Sequence, residues 1–129
     1  MNTNEQREEL NRITEKVIGC AYTVASSLGS GFLEKVYENA LAYEVRKAGL
    51  DVSQQHNVQV HYDGIVVGDY VAYLLVAQHV LVELKAVKVL DNVHHAQCMN
   101  YLKATGNTVC LLINFGSPKL EVRRIVNQF

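Results

Sequence analysis

The chain has 129 residues, 49% of them hydrophobic and 19% charged, with a formal net charge of −1. That length fits one domain with one substantial core, and the near-neutral charge excludes a globally basic surface for nucleic acid. No stretch stays apolar long enough to span a bilayer, and the polar opening, residues 1–6, is not a secretory signal. Cys20, Cys98 and Cys110 are odd in number and widely spaced, which argues against a disulfide framework and for a reducing, cytoplasmic setting. Charge is uneven: residues 1–64 carry six Lys/Arg against nine Asp/Glu, and residues 65–129 six against four. The basic bias of the second half permits a phosphate-bearing partner without arguing for one.

Residues 3–28 place Leu10, Ile13, Val17, Ala21, Val24 and Leu28 at spacings of three and four, which predicts a long amphipathic helix. Thr3 or Asn4 suits its start and Gly29 its end. Gly29-Ser30-Gly31 reads as a turn, because a phosphate-binding glycine loop would need a following Gly-Lys-Ser/Thr. A second helix is expected over about 32–48, with Leu33, Val36, Tyr37, Ala40, Leu41 and Val45 on its apolar face. The period then changes to two. Val58, Val60 and Tyr62 alternate with Gln59 and His61, Asp63-Gly64 is a hairpin signal, and 65–76 is the returning strand. A strand over 79–87, a helix over 92–105 closed by Gly106, a buried strand over 108–114 and a last strand over 120–126 complete the order α-α-β-β-β-α-β-β. Neither repeat nor linker interrupts it, so one α/β domain over 1–129 is expected.

The run Val80-Leu81-Val82-Glu83-Leu84-Lys85-Ala86-Val87 has the β-branched content of a buried strand, yet holds two opposite charges. Side chains alternate along a strand, so Glu83 and Lys85 share one face while Val80, Val82, Leu84 and Ala86 fill the other. Such charges are costly unless paired or used. They fit a solvated second face, a structural ion pair, or an active site on a sheet. On the second helix Glu34 and Glu38 stand four apart, at the border of the apolar face. Acids also favour a helix's first turns for the sake of its dipole, which is the plainer reading of both. Gln97 and Tyr101 repeat that spacing beside Cys98 and Leu102. If the loop between the second and third strands is residues 77–79, Tyr73 lies directly opposite Glu83; a two-residue loop would break that register. His94 and Cys98 have a zinc-compatible spacing, but zinc needs three or four converging ligands and only two are local.

Gly31-Phe32-Leu33-Glu34-Lys35-Val36-Tyr37, continued by Glu38-Asn39-Ala40-Leu41, fits the pattern GxxExxY. Val82-Glu83-Leu84-Lys85-Ala86-Val87, His95-Ala96-Gln97 with Tyr101-Leu102, and Leu112-Ile113-Asn114-Phe115-Gly116 extend the match. From about residue 8 to its end the chain resembles the GxxExxY proteins, a branch of the PD-(D/E)XK nuclease-like superfamily. The resemblance implies a restriction-endonuclease-like α/β core with a mixed sheet flanked by helices. It also implies a Mg²⁺- or Mn²⁺-dependent phosphodiester hydrolase acting on DNA or RNA. The catalytic roles would fall on Glu34 or Glu38, Glu83, Lys85, Gln97 and Tyr101, with Glu83 and Glu34 as metal ligands. Relatives read Gly-acid-aromatic-x-Ala-Asp-Leu-Leu-Val where this chain reads Gly68-Asp69-Tyr70-Val71-Ala72-Tyr73-Leu74-Leu75-Val76. The metal-binding Asp is therefore replaced by Tyr73, a poor ligand for Mg²⁺, and Asp69 lies about 13 Å away along an extended strand. Activity is expected to be weakened or lost, with a non-catalytic module binding nucleic acid or protein as the alternative. A membrane partner is not expected, and a homodimer stays open.

Overall fold

Leu10, Ile13, Val17, Ala21 and Val24 are all buried, and that single stripe makes residues Thr3–Leu28 one long helix, α1. The computed structural model describes residues 3–127. Thr3 and Asn4 are themselves helical, so any cap for α1 lies outside the described residues. The chain then forms α2 (Glu34–Lys47), β1 (Val52–Tyr62), β2 (Ile65–Val76), β3 (Val80–Lys85), α3 (Asn92–Thr105), β4 (Val109–Asn114) and β5 (Glu121–Val126), in the order expected.

The five strands lie in one mixed sheet in the order β1-β2-β3-β4-β5. β3 and β4 are parallel and the other neighbours antiparallel, so the parallel pair needs a crossover, which α3 supplies. α1 and α2 cover one face, against Val80, Val82 and Leu84 of β3 and Val109, Leu111 and Ile113 of β4. α3 covers the other face with Cys98, Tyr101 and Leu102, against Leu81, Cys110 and Leu112. Because β4 is covered on both sides, all six of its residues are buried.

Three boundaries differ from the sequence reading. α2 begins at Glu34, and Leu33 and Val36, assigned to its apolar face, are exposed; the buried stripe is instead Tyr37, Glu38, Leu41, Ala42 and Val45. β1 begins six residues before the alternation at Val58 that announced it, because residues 53–57 are polar on both faces and give no period. Of its alternating residues only Val58 is buried, while Tyr62 is exposed. β3 ends at Lys85 rather than 87.

The reason for that last stop is local. Buried Asn114 accepts from the amides of Val87 and Gly116 and donates to the Val87 carbonyl and to Glu121. This holds residues 86–87 across Gly116, where a Cβ would overlap the backbone of Ala86 and Val87. Only glycine permits that approach. Gly116→Ala is therefore expected to destabilise the protein by about 3 kcal/mol, the upper range for overpacking, measured as a lower urea midpoint at constant slope; an unchanged midpoint would contradict the account.

Candidate functional site

The ladder between β2 and β3 pairs Val76 with Val80, Leu75 with Leu81 and Leu74 with Val82. This register follows from the three-residue connection at 77–79, in which Ala77 and Gln78 both have positive φ. The next position would set Tyr73 against Glu83, as the sequence predicts. There the backbone pairing stops. The Tyr73 N–H donates instead to Glu83 Oε1 at 3.1 Å, so a side-chain carboxylate replaces a ladder carbonyl.

β1 and β2 change at the same level. Ala72 and Leu75 both belong to the α3-side core, whereas Leu74 belongs to the other, so strict alternation fails across Tyr73. Gln55, which the flanking pairs Gln54–Leu74 and His56–Ala72 set opposite Tyr73, is left-handed at φ +55°. The β1–β2 ribbon thus parts from β3, and the fork opens a cleft of about 560 Å³. Residues from both sides of the sheet reach it: Glu34 and Glu38 from α2, Tyr73 from β2, Glu83 and Lys85 from β3, Gln97 and Tyr101 from α3. The nuclease-type candidates Glu34, Glu38, Glu83, Lys85, Gln97 and Tyr101 all line this one hollow.

The cleft's electrostatics follow from burial. Glu83 is 1% exposed, and that desolvation pushes its carboxyl up to about 7, against the opposing effects of the Tyr73 amide and the Lys85 charge. Among the described residues no ion pair joins Lys85 to Glu83. Neither a solvated face nor a structural ion pair therefore describes this strand. Tyr73 is raised by burial and then by the charges of Glu34, Glu83 and Glu38, which keeps its phenol protonated. Tyr101 is pushed up to about 12 by burial and Glu83, and its hydroxyl accepts from Gln97 Nε2 at 3.1 Å.

Glu38 is not at the border of the apolar face: it is fully buried. Its Oε1 accepts from Gln55 Nε2 at 2.7 Å and its Oε2 from Gln54 Nε2 at 2.8 Å, with Lys35 Nζ at 3.3 Å. These bonds fasten α2 to β1. Gln54, Gln55 and Lys35 went unnoticed in the sequence, where two adjacent glutamines in an aperiodic polar stretch carry no signal. The GxxExxY tyrosine has a positioning role. Tyr37 donates to the Gly29 carbonyl at 2.6 Å, accepts from the Phe32 amide at 3.2 Å and stacks on Phe115 at 4.5 Å between ring centroids. It thereby sets the loop before α2 and the placement of Glu34 over the cleft. The α2 N-terminus has no side-chain cap, and its first residues, Glu34 and Lys35, line the cleft.

His94 serves the Asp91 capping box of α3 and Cys98 lies in the core, so the two do not converge as zinc ligands. Among the described residues no three His, Cys, Asp or Glu gather as a group able to hold a metal. Glu38 already has its oxygens engaged, and one oxygen of Glu83 takes the Tyr73 amide. The hard-oxygen set is thus limited to Glu83 and Glu34. Mg²⁺ bound mainly by water and substrate phosphate needs only one or two carboxylates, so these two suit weak, substrate-assisted binding and fall short of a self-sufficient centre.

The buried Glu83 carboxyl gives stability a pH dependence with a definite sign. Its folded-state value of about 7 lies above the ordinary 4.5, so between these values the folded chain binds more protons than the unfolded one. Stability is therefore lost as pH rises through this window. Glu83→Gln keeps an acceptor for the Tyr73 amide and removes the charge. The variant is expected to match the native protein near about pH 4 and to exceed it by about 3 kcal/mol near about pH 8, measured by urea unfolding at both. A variant less stable than the native protein at the higher pH would refute this.

A family model described as the PD-(D/E)XK nuclease superfamily matches residues 11–125. No curated protein and no solved structure matches significantly. The matched span runs from within α1 to the penultimate residue of β5 and so includes the entire fork. The chain belongs to the PD-(D/E)XK nuclease superfamily.

Proposed function

We propose that this protein is a nuclease-fold module in which Mg²⁺- or Mn²⁺-dependent phosphodiester hydrolysis is strongly weakened or lost, and which binds nucleic acid at and beside the cleft. One observation carries the reading. At the position where the family resemblance calls for an Asp the chain has Tyr73, which bonds Glu83 through its backbone amide alone and keeps its phenol protonated. A neutral phenol is a poor partner for a hard cation. Glu83 and Glu34 are the residues that would hold such an ion weakly. When bound, the metal would supply phosphate neutralisation and a more acidic water. Lys85 would offer its charge to a phosphate or an attacking oxygen. Gln97 and Tyr101, joined by their hydrogen bond, would fix the cleft wall. Free thiols at Cys20, Cys98 and Cys110 agree with a reducing setting.

Calorimetric titration with Mn²⁺ tests the reading. The native chain is expected to bind at millimolar strength or weaker, and Tyr73→Asp to bind at least about ten-fold more tightly, the effect of adding one well-placed carboxylate. Micromolar binding by the native chain, or Lys85-dependent cleavage of plasmid DNA at an ordinary nuclease rate, would overturn it.

A further inference from the structure

A second, larger groove of about 790 Å³ lies between the β1–β2 ribbon and α3. It shares Gln97 and Tyr101 with the cleft, so the two hollows adjoin along that wall. Tyr70 of β2, half exposed, lines it. The Tyr70 ring lies along the strand beside Gly68, where a Cβ would come within 3.2 Å of it, and stands 6.1 Å from the ring of Tyr101 at a tilt of 48°. Asn100 and Lys103 of α3 and His61 of β1 complete the polar lining, and none of the described lining residues is acidic. The described lining of the groove thus carries one lysine and no acid, whereas the cleft beside it sets three glutamates against two lysines.

We propose that this groove holds unpaired nucleobases of a single strand whose backbone continues into the cleft; the inference rests on the nucleic-acid-binding part of the proposed function and names its substrate class. An aromatic ring in a groove meets the face of a base, and in a duplex those faces are covered by stacked neighbours. Base stacking on a tyrosine is favourable and tolerant of sequence. The amides of Gln97 and Asn100 offer both donors and acceptors, as base edges do. Lys103 supplies the cation that a phosphate requires. A peptide would find the tyrosines and amides equally usable, but nothing in it needs a groove that adjoins a nuclease-type cleft.

Fluorescence anisotropy with labelled oligothymidylate, oligouridylate and a DNA duplex, in EDTA so that no cleavage occurs, tests this. Both single strands are expected to bind at least about ten-fold more tightly than the duplex. Tyr70→Ala should weaken single-strand binding at least about five-fold, Tyr70→Phe should restore it, and Lys103→Ala should reduce the salt dependence by about one phosphate contact. Circular dichroism of each variant checks that it is folded. Preference for oligouridylate alone would narrow the ligand to RNA and still support the groove. Duplex binding as tight as single-strand binding, or a folded Tyr70→Ala variant that binds like the native protein, would overturn this inference and leave the proposed function standing. Brisk Mg²⁺-dependent cleavage together with Tyr70-dependent binding would do the reverse. Binding of no oligonucleotide at all would overturn both.

Discussion

The hydrogen bond from the Tyr73 amide to the Glu83 carboxylate fixes most of what matters in this molecule. It sits where β2 leaves β3, after the last ladder pair, Leu74 with Val82. A strand that parts from its neighbour inside a core leaves backbone donors without carbonyls, and a buried donor must find another acceptor. Glu83 supplies one from its side chain, at the cost of a buried carboxyl whose proton affinity is raised. The fork so stabilised is a gap through which the two faces of the sheet communicate. α2 packs on one face and α3 on the other, yet Glu34 and Gln97 line the same hollow.

A buried acid kept at such a cost in the middle of an otherwise apolar strand is more consistent with a ligand site than with a stability device, since an apolar residue of similar volume would remove the penalty. Its surroundings carry the marks of divided labour. The cleft sets Glu34, Glu38 and Glu83 against Lys35 and Lys85, whereas the adjoining groove has no acid among its described lining residues and presents Tyr70, Asn100 and Lys103. On the function we propose, Tyr73 in place of a metal-binding Asp would leave the cleft less able to recruit a cation, and nucleic-acid affinity would rest more heavily on the groove.

Much of this was legible in the chain. The helical stripe from Leu10 to Val24, the Asp63-Gly64 turn and the buried run at 109–114 each express a period set by backbone geometry, and each element formed. Loop-length parity gave the register that holds as far as Leu74 with Val82; at Tyr73 the pairing gives way and its amide meets the Glu83 carboxylate instead. The hidden features are non-local or aperiodic. The complete burial of Glu38 depends on Gln54 and Gln55, sixteen and seventeen residues away, and no local pattern announces such a partnership. Polar residues on both faces concealed the first half of β1, and the left-handed turn at Gln55 comes from a residue type with no preference for it. Leu33 and Val36 misled because they have the helical spacing of a core stripe while lying at the cleft-side end of α2, where the sheet no longer covers them.

The most direct test of the claim that an aromatic side chain has displaced a metal ligand from a fork still built to hold one is crystallographic. Crystals of the native protein and of Tyr73→Asp, soaked in Mn²⁺, are compared by anomalous scattering. The account predicts a strong peak beside Glu83 in the variant and little or none there in the native protein; a strong native peak at Glu83, or a variant without one, would contradict it.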